Sequence, residues 1–475
     1  MTLLDRVRGA SRWTLLVWAI VTLYATYFSV RTVGVHRGLG TSAYDFALYD
    51  QGIWLLSRGN TPFVTLMGRN LFGDHSSFIL LLLIPFYWVI SSTSLLFVVQ
   101  SIVIALGALP VYYFSKSCMR SEGLGALMAV LYLIHPAIGW TNLENFHPDS
   151  ALGVLVATAI WAAHSNRWRW YWVVVVLALL VKEDVAFVLA PLGVWVAVYQ
   201  HRKYGLITSF VSLVTMAVMF LIVMRGLTGV TFRNSWRVPF GGVGGFFTTL
   251  FTKPMVFARY IVSEDRPMYV WQMLSPMAFV FAYRPGLALV GVVMLASNVV
   301  STFWYQHQIH YHYSLIIVPC IVMGSAWALG KMSRNVMNAS VVIVATASFL
   351  TAFLWSPLPL SLSTTQHWTS QSAPVVAARE ALDFIPDDVS VAAYHSISAH
   401  LARRVEIYSF PNPFERSLYG ADVFAKGDRL PQAETVEYVI LPTSLDGDAE
   451  MVWKAEVSRF SVVFSNAWWV VYKRS

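Results

Sequence analysis

Long apolar runs separated by short polar islands make up the first three quarters of the chain. An α-helix needs ~20 residues to cross a bilayer, so the longer runs can span a membrane, and the shorter ones are typical of broken or tilted helices around a polar cavity. The pattern predicts an α-helical polytopic membrane bundle. Its eleven predicted spans are residues 15–30, 95–114, 124–139, 151–163, 171–181, 185–199, 206–224, 268–282, 286–304, 313–329 and 336–355.

The pattern changes near residue 361, where Asp, Glu and Arg become common and the long apolar runs end. Short helical and strand-like stretches then alternate, which is typical of a small α/β layer. We therefore predict two domains. Residues 1–360 form a transmembrane domain whose long external loop, 31–94, carries a juxtamembrane helix, and residues 361–475 form an extracytoplasmic α/β domain.

Composition supports the membrane interpretation. Hydrophobic residues make up 57% of the chain and charged residues only 12%, whereas a soluble domain typically has about 25% charged residues. The net charge of +8 is not concentrated in a Lys/Arg cluster that would indicate nucleic-acid binding. The two cysteines, Cys118 and Cys320, lie far apart, so a disulfide framework is not expected.

The distribution of Lys and Arg predicts the orientation, because short cytoplasmic loops collect positive charge. The prediction is a multi-pass protein of the cell (plasma or inner) membrane with a cytoplasmic N-terminus and an extracytoplasmic C-terminal domain. It holds only if the apolar stretch 78–90 does not cross the bilayer, so we predict a re-entrant or interfacial segment there. The basic residues assigned to the cytoplasmic side are Lys116, Arg120, Arg167, Arg169, Arg202, Lys203, Arg284, Lys331 and Arg334.

Ionisable side chains in the first external loop are the first candidates for chemistry. Asp45 and Asp50 lie on the predicted juxtamembrane helix, and Asp74-His75 precedes the 78–90 stretch. Charged groups beside hydrocarbon are costly unless they face water or a partner, so their presence indicates a functional site. The structural alternatives are that Asp45 only caps its helix and that Asp74 and His75 form a hydrogen-bonded pair.

A second island, Glu144 to Asp149, occupies the turn between the third and fourth predicted spans. Pro148 disfavours helix at the residue before it, so the turn can direct Glu144, His147 and Asp149 into a cavity. The alternative is a solvated hairpin in which Asp149 caps the following helix.

A third island consists of Lys182, Glu183 and Asp184 at the turn of a predicted hairpin. Lys182 could neutralise a phosphate, or it could form an ion pair with one of its acidic neighbours. Arginines and a lysine bordering a later external loop are further candidates for phosphate binding, although such residues are often interfacial cations that extend to the membrane surface. They are Arg225, Arg233, Arg237, Lys253 and Arg259.

Histidines near the tenth predicted span raise the question of a metal. His307, His310 and His312 could join the carboxylates in holding a divalent cation, but their spacing matches no specific metal signature. No cofactor is therefore assigned with certainty, and a divalent cation remains an open possibility.

Residues 45–54, 146–149 and 180–184 carry a family resemblance. They resemble the marker segments of an uncharacterised bacterial membrane-protein family, domain of unknown function 2079. More distantly, the layout is similar to that of C-type (GT-C) glycosyltransferases, which use polyprenyl-phosphate sugars. That similarity rests on a long first external loop with an acidic juxtamembrane helix, many spans and an extracytoplasmic C-terminal domain. Residues 312–315, followed by Pro319, resemble a late-span segment of the same superfamily.

The resemblance implies roles for particular residues. An acidic residue of the first loop acts as general base in GT-C enzymes; Asp45 matches that position best and Asp50 is the second choice. Lys182 is similar to an outer-turn lysine that faces lipid phosphate in the aminoarabinose-transferring branch. The paired acidic residues that open the first loop in protein mannosyltransferases are absent from this sequence, which leaves the class of acceptor open.

The leading hypothesis is an integral-membrane glycosyltransferase that moves a sugar from a polyprenyl-phosphate donor to an extracytoplasmic cell-envelope acceptor. A transporter or flippase for a lipid-linked or small polar solute is the alternative, since buried charges can also line a translocation path. A non-catalytic scaffold for envelope assembly is a third interpretation. Besides the catalytic candidates Asp45 and Asp50, the predicted substrate-binding residues are Asp74, His75, Glu144, His147, Asp149, Lys182, Glu183, Asp184, Arg233, Arg237 and His312.

Overall fold

A computed structural model shows a helical bundle that carries a small mixed sheet near its C-terminus. The structure describes residues 10–230, 234–363, 365, 367–421, 423 and 427–475. The predicted fold class, a polytopic α-helical membrane bundle followed by a small α/β layer, is confirmed.

Within the described residues, five helices are long and apolar enough to cross a membrane, and there are six if a bent pair of helices is counted as one span. The bend of 48° between Glu122–Ile134 and Pro136–Leu143 has a local cause. Pro136 has no backbone N–H and excludes its predecessor from the helix, so the first helix ends before it. The five long helices are Arg12–Arg37, Leu95–Met119, Arg202–Thr228, His312–Leu329 and Arg334–Trp355.

The other predicted spans coincide with shorter helices, so the prediction of eleven spans is higher than the number of helices with full membrane-crossing length. The helix Trp168–Leu179 ends just before the polar island at Lys182, whereas the helix after Asp265 gives way at Ser275 to 3₁₀ turns, between which Ala278 and Phe279 adopt left-handed backbone conformations. The shorter helices in these regions are Leu152–His164, Trp168–Leu179, Ala186–Tyr199, Arg266–Leu274 and Ala288–Val300.

The apolar stretch after the first loop forms a short helical segment, Phe78–Val89. His36 at the end of the first long helix and Thr93 just before the second lie next to each other, with His36 Nε2 and Thr93 Oγ1 3.1 Å apart. The chain between them therefore leaves and returns at the same end of the bundle. This agrees with the prediction that 78–90 is not a complete crossing.

The C-terminal part begins with the helix Ala373–Leu382, after the last long helix ends at Trp355. The strands of the protein are β1 Phe63–Val64, β2 Arg69–Asn70, β3 Val391–Ala393, β4 Ile407–Ser409, β5 Tyr438–Pro442, β6 Phe460–Ser465 and β7 Trp469–Arg474. A small hairpin, β1 and β2, belongs to the first loop. The C-terminal sheet has the strand order β4-β3-β5-β7-β6, in which β3 pairs in parallel with β4 and β5, and β7 pairs antiparallel with β5 and β6.

The helix Leu48–Ser57 of the first loop joins the bundle to this sheet. The carboxylate of Asp50 is fully buried, and accepts hydrogen bonds from Arg403 at 3.0–3.2 Å and from the Tyr87 hydroxyl at 2.7 Å. The next residue, Gln51, donates to Thr65 at 2.8 Å and to the Arg404 carbonyl at 3.2 Å. These buried polar contacts fix the C-terminal part against the loop helix. We call this set of residues the domain junction.

Candidate active site

A cavity of about 620 Å³ lies where the first loop, the turns at one end of the bundle and the C-terminal part meet. Two of the three polar islands contribute directly to its wall, and the third lies immediately behind it. The lining residues include Tyr44, Asp45, Tyr49, Arg69, Asp74, His75, Glu144, His147, Trp236, Arg237, Phe303, Tyr305, Tyr311, His312, Tyr313 and His395.

Asp45 lies in the short π-helical turn Ala43–Ala47. The turn begins after Ser42, whose hydroxyl accepts a hydrogen bond from the backbone N–H of Tyr44. Its side chain lines the cavity and is 37% exposed. The Asn145 amide donates a long hydrogen bond of 3.4 Å to it. Burial and, to a smaller extent, the negative charge of Asp74 together raise the pKa of Asp45 to about 6. Asp45 is therefore a carboxylate that accepts protons more readily than an ordinary aspartate.

Glu144, His147 and His312 form a compact cluster next to Asp45. His147 is extended because proline follows it, and this conformation turns its ring into the cavity. The rings of His147 and His312 stack with their centroids 3.6 Å apart, and His312 Nδ1 lies 3.2 Å from both Glu144 carboxylate oxygens. The Glu144 carboxylate also accepts the backbone N–H of His312 at 2.7 Å.

The Nε2 atom of His147 is buried and has no hydrogen-bond partner among the described residues. It lies 3.6 Å from Glu144 and 3.7 Å from Asp45, which is beyond hydrogen-bonding distance. A buried polar atom without a partner needs an explanation, and a bound water, ligand or ion supplies one where other ligand atoms lie close by. Burial lowers the pKa of His147, and the neighbouring His312 lowers it further, so the ring is neutral, as a metal ligand requires.

Glu144, His147 and His312 each offer one ligand atom, and these atoms lie within 4.8 Å of one another. Two imidazoles and one carboxylate suit a divalent transition metal or zinc. The donor set and the unpartnered His147 atom therefore fit a cation at this place. The sequence pattern pointed to His312 through a run of three histidines, whereas the structure groups it with Glu144 and His147.

Most cations in and behind the cavity already have a carboxylate partner. Arg69 Nη2 lies 2.8 Å from Asp74, and His75 Nδ1 lies 2.8 Å from Glu183. Lys182 is buried behind the wall, where its Nζ lies 3.3 Å from Asp149 and over the ring of Tyr313. These pairs leave little positive charge available to a ligand.

Arg237 differs from these cations. Its guanidinium lies over the rings of Phe303, Trp236 and Tyr313, with the carbon 4.4, 5.5 and 5.9 Å from the three centroids. The buried Nε has no hydrogen-bond partner, and no carboxylate pairs with Arg237 within the part of the chain that the structure describes. A guanidinium held by aromatic rings and left without an anion is suited to bind one from a ligand.

The remaining predicted residues fall into three groups. Asp50 lies outside the cavity, in the domain junction. Lys182, Glu183, Asp184 and Asp149 form a polar layer behind the cavity wall rather than its surface, and Lys182 is paired with Asp149 rather than with a sequence neighbour. Arg233 lies outside the described residues.

Other cations and histidines named from the sequence are not in the cavity wall. Arg225, Lys253 and Arg259 are exposed and do not line the cavity. His307 Nε2 lies 3.3 Å from Glu264, and His310 packs edge-on against Trp140 at 4.5 Å.

Sequence reasoning missed the aromatic part of the wall and Arg69. Trp236, Phe303, Tyr305 and Tyr311 line one side of the cavity, and His395 contributes from the C-terminal part. Aromatic faces are suitable surfaces for the apolar face of a sugar ring or for a prenyl chain. The dense aromatic run from Phe303 to Tyr313 is the signal in the sequence that could have identified this wall.

Comparisons with known proteins agree with this architecture. A family described as "Predicted membrane protein (DUF2079)" matches residues 35–475. No curated protein matches the sequence significantly. Among solved structures, the fold is similar to ArnT from Cupriavidus metallidurans bound to undecaprenyl phosphate, with 12% identity, TM-score 0.51 and 98% of both chains covered. It is also similar to the apo form of that protein, with 13% identity, TM-score 0.53 and 97% of both chains covered. At such low identity the similarity establishes a GT-C-like fold and no shared activity.

Proposed function

The chain belongs to the DUF2079 family of predicted membrane proteins, and on that premise we propose that it is a glycosyltransferase using a polyprenyl-phosphate sugar as donor. The acceptor is a hydroxyl group of an extracytoplasmic cell-envelope molecule. The observation that carries the proposal is that one cavity contains both an unpaired guanidinium, Arg237, and a carboxylate of raised pKa, Asp45. Transfer of a phosphate-linked sugar needs both kinds of group.

Arg237 is the proposed binding residue for the donor phosphate. The structure of the similar protein ArnT was solved with undecaprenyl phosphate, which makes a lipid phosphate a reasonable ligand for this fold. Arg237 has donors free to make charge-assisted hydrogen bonds to phosphate oxygens. The aromatic rings around it keep the guanidinium in place and partly exclude water, which strengthens the interaction.

Asp45 is the proposed general base. In the transfer step it takes the proton of the acceptor hydroxyl as that oxygen forms a bond to the anomeric carbon. The bond between the anomeric carbon and the phosphate oxygen breaks, and its electron pair stays on the phosphate. Arg237 stabilises the negative charge that develops there. Because the pKa of Asp45 lies at about 6, the residue is mostly ionised at neutral pH and is still a better base than an ordinary aspartate.

The cluster of Glu144, His147 and His312 is the proposed site for a divalent cation. When bound, such an ion supplies additional positive charge near the phosphate. The cluster also has a role without an ion, because Glu144 and the His312 backbone hold the two turns together at one wall of the cavity. Burial raises the pKa of Glu144, and the negative charge of Asp45 acts in the same direction.

The test is sugar transfer by purified protein from a panel of synthetic polyprenyl-phosphate sugars, with extracted envelope lipids and glycans as acceptors. We expect transfer with at least one donor, and its loss in Asp45→Asn. Glu450→Gln is a matched control, since Glu450 is an exposed carboxylate on the helix Gly447–Glu456, away from the cavity. Movement of a lipid-linked sugar across vesicles without any transfer would favour the transporter interpretation instead.

A further inference from the structure

A second pocket, separate from the catalytic cavity, lies under the C-terminal part at the ends of the first two long helices. Its volume is about 330 Å³. Its wall combines the last turn of the helix Arg12–Arg37, the loop Ser91–Ser94 before the helix Leu95–Met119, and the helix Ala373–Leu382. The pocket therefore lies at the membrane boundary, at the end of the bundle that carries the C-terminal part.

The charge of this pocket is positive. Arg37 comes from the bundle and Arg379 from the C-terminal part, and both line the pocket. Arg379 donates a hydrogen bond of 3.4 Å to the backbone carbonyl of Arg37, so the Arg379 guanidinium is held at the end of the first long helix. No Asp or Glu lines the pocket, and neither arginine has a carboxylate partner within the described ranges.

The other polar groups of the pocket are neutral. Four consecutive hydroxyl residues, Ser91 to Ser94, form one side, and the stacked rings of His36 and His400 form the floor. Burial lowers the pKa of His400 to about 4, and the Arg379 charge also lowers it, so this ring does not add a proton at neutral pH. Two guanidinium groups with several hydroxyls and no carboxylate match the requirements of a phosphate group.

An apolar strip precedes the pocket along the chain and ends two residues before its first hydroxyl residue, Ser91. Leu82, Phe86 and Val89 lie on one face of the helical segment that ends just before Ser91, and they are 57%, 49% and 85% exposed. Exposed side chains of this size are stable in contact with acyl chains. A soluble phosphate would make no use of this strip.

We propose that this pocket binds the phosphate headgroup of an anionic phospholipid, whose acyl chains lie along the strip of Leu82, Phe86 and Val89. Basic pockets at the ends of membrane helices bind anionic headgroups in this way. The bound lipid neutralises Arg37 and Arg379 together, and it links the bundle to the C-terminal part. This inference is independent of the proposed transferase activity, because the pocket shares no lining residue with the catalytic cavity.

The experiment measures lipid retention by native mass spectrometry of the full-length protein, released from nanodiscs containing phosphatidylglycerol and phosphatidylcholine. We expect selective retention of phosphatidylglycerol, and at least a fivefold loss of it in the double variant Arg37→Gln/Arg379→Gln. The matched control is Arg225→Gln/Arg259→Gln, which removes the same charge from exposed arginines outside the pocket. Equal retention in all three proteins would overturn the proposal.

Two further measurements, one on the variant Val89→Ser and one with inorganic phosphate as competitor, test the lipid assignment separately. Val89→Ser changes a side chain that is 85% exposed, so folding does not depend on it, and it should reduce retention of phosphatidylglycerol even if the arginine variant is unstable. Full competition by millimolar inorganic phosphate, together with unchanged retention in Val89→Ser, would show a site for free phosphate and would overturn the assignment to a lipid.

Discussion

Asp45 and Asp50 lie five residues apart in the same loop, yet they belong to two very different regions. Asp50 is fully buried in the domain junction, where Arg403 and Tyr87 satisfy its carboxylate. Asp45 lines the cavity, with one long hydrogen bond and a histidine nitrogen that stays beyond hydrogen-bonding distance. Polar groups at the junction are paired with each other, whereas several polar groups in the cavity are free to bind a ligand. The first arrangement is expected for stability and the second for ligand binding.

The prediction with the largest expected effect concerns Asp45 in the cavity. Asp45→Asn keeps the shape of the side chain and removes its ability to accept a proton. We expect the rate of sugar transfer to fall by about 10²–10⁴-fold, the usual contribution of a general base, with the Tm unchanged within error. A transfer rate close to that of the original protein would exclude Asp45 as the base.

The second prediction tests the junction. Asp50→Ala leaves the Arg403 guanidinium, which is only 17% exposed, without its carboxylate. Breaking a buried pair in this way typically costs about 3–5 kcal/mol of unfolding free energy. We expect a clearly lower Tm in detergent. The fraction of the protein that remains folded should transfer sugar at the original rate.

A double-mutant cycle with Arg403→Ala separates the pair from the individual side chains. The two changes together should destabilise the protein by much less than the sum of the single changes, because they share one interaction. Simple additivity would mean that the contact contributes little to the attachment of the C-terminal part.

The third prediction concerns Arg237. Arg237→Gln removes the positive charge and the charge-assisted hydrogen bonds proposed for the donor phosphate, which are worth about 1.5–3 kcal/mol each. We expect kcat/KM for the donor to fall by about 10–100-fold. The matched control is Arg259→Gln, since Arg259 is exposed and does not line the cavity. Equal kinetics in the two variants would show that Arg237 does not contact the donor.

The fourth prediction concerns the histidine cluster. Isothermal titration should show that Zn²⁺ binds the purified protein more tightly than Mg²⁺, because two of the three ligands are imidazoles. His147→Ala should weaken Zn²⁺ binding by at least about 10-fold, as expected for the loss of one ligand in three. His310→Ala should leave it unchanged, since His310 packs against Trp140 outside the cluster. Tight Zn²⁺ binding by the His147 variant would place the ion elsewhere.

Local hydropathy explains which parts of the structure could be predicted from the sequence. The apolar runs, the change near residue 361 and the three polar islands are all visible in short windows of sequence. The fold class and most of the charged residues and histidines of the cavity wall were therefore predicted. The number of full-length crossings was not, because helices around a polar cavity end early at turns that hydropathy does not mark.

The sequence could not predict which residues far apart in the chain pair with each other. Asp45 and Asp50 have similar neighbours, and the arginine that separates their roles lies 353 positions from Asp50. Lys182 was expected to face phosphate, but Asp149, 33 positions away, pairs with it behind the wall. Arg237 was predicted, with Arg233, to bind substrate, but the sequence could not show what distinguishes it, namely three aromatic neighbours and the absence of a described anionic partner.

The smallest expected effect comes from the electrostatic environment of Asp45. Its pKa of about 6 predicts that kcat/KM falls as the pH drops below about 6, because the base becomes protonated. The negative charge of Asp74 contributes to this raised pKa, so Asp74→Asn should lower it and move the acid limb of the profile to lower pH. Release of Arg69 from its pair with Asp74 acts in the same direction. We expect a shift of less than about one pH unit, because burial, the larger cause, remains.

The pH profile of Glu450→Gln provides the reference for this shift, since that substitution removes an exposed carboxylate far from Asp45. If the acid limb of the kcat/KM profile moves to lower pH in the Asp74 variant and not in Glu450→Gln, Asp45 is the titrating group and its pKa depends on the charge of Asp74. An acid limb that stays in place would mean that the titrating group is not coupled to Asp74.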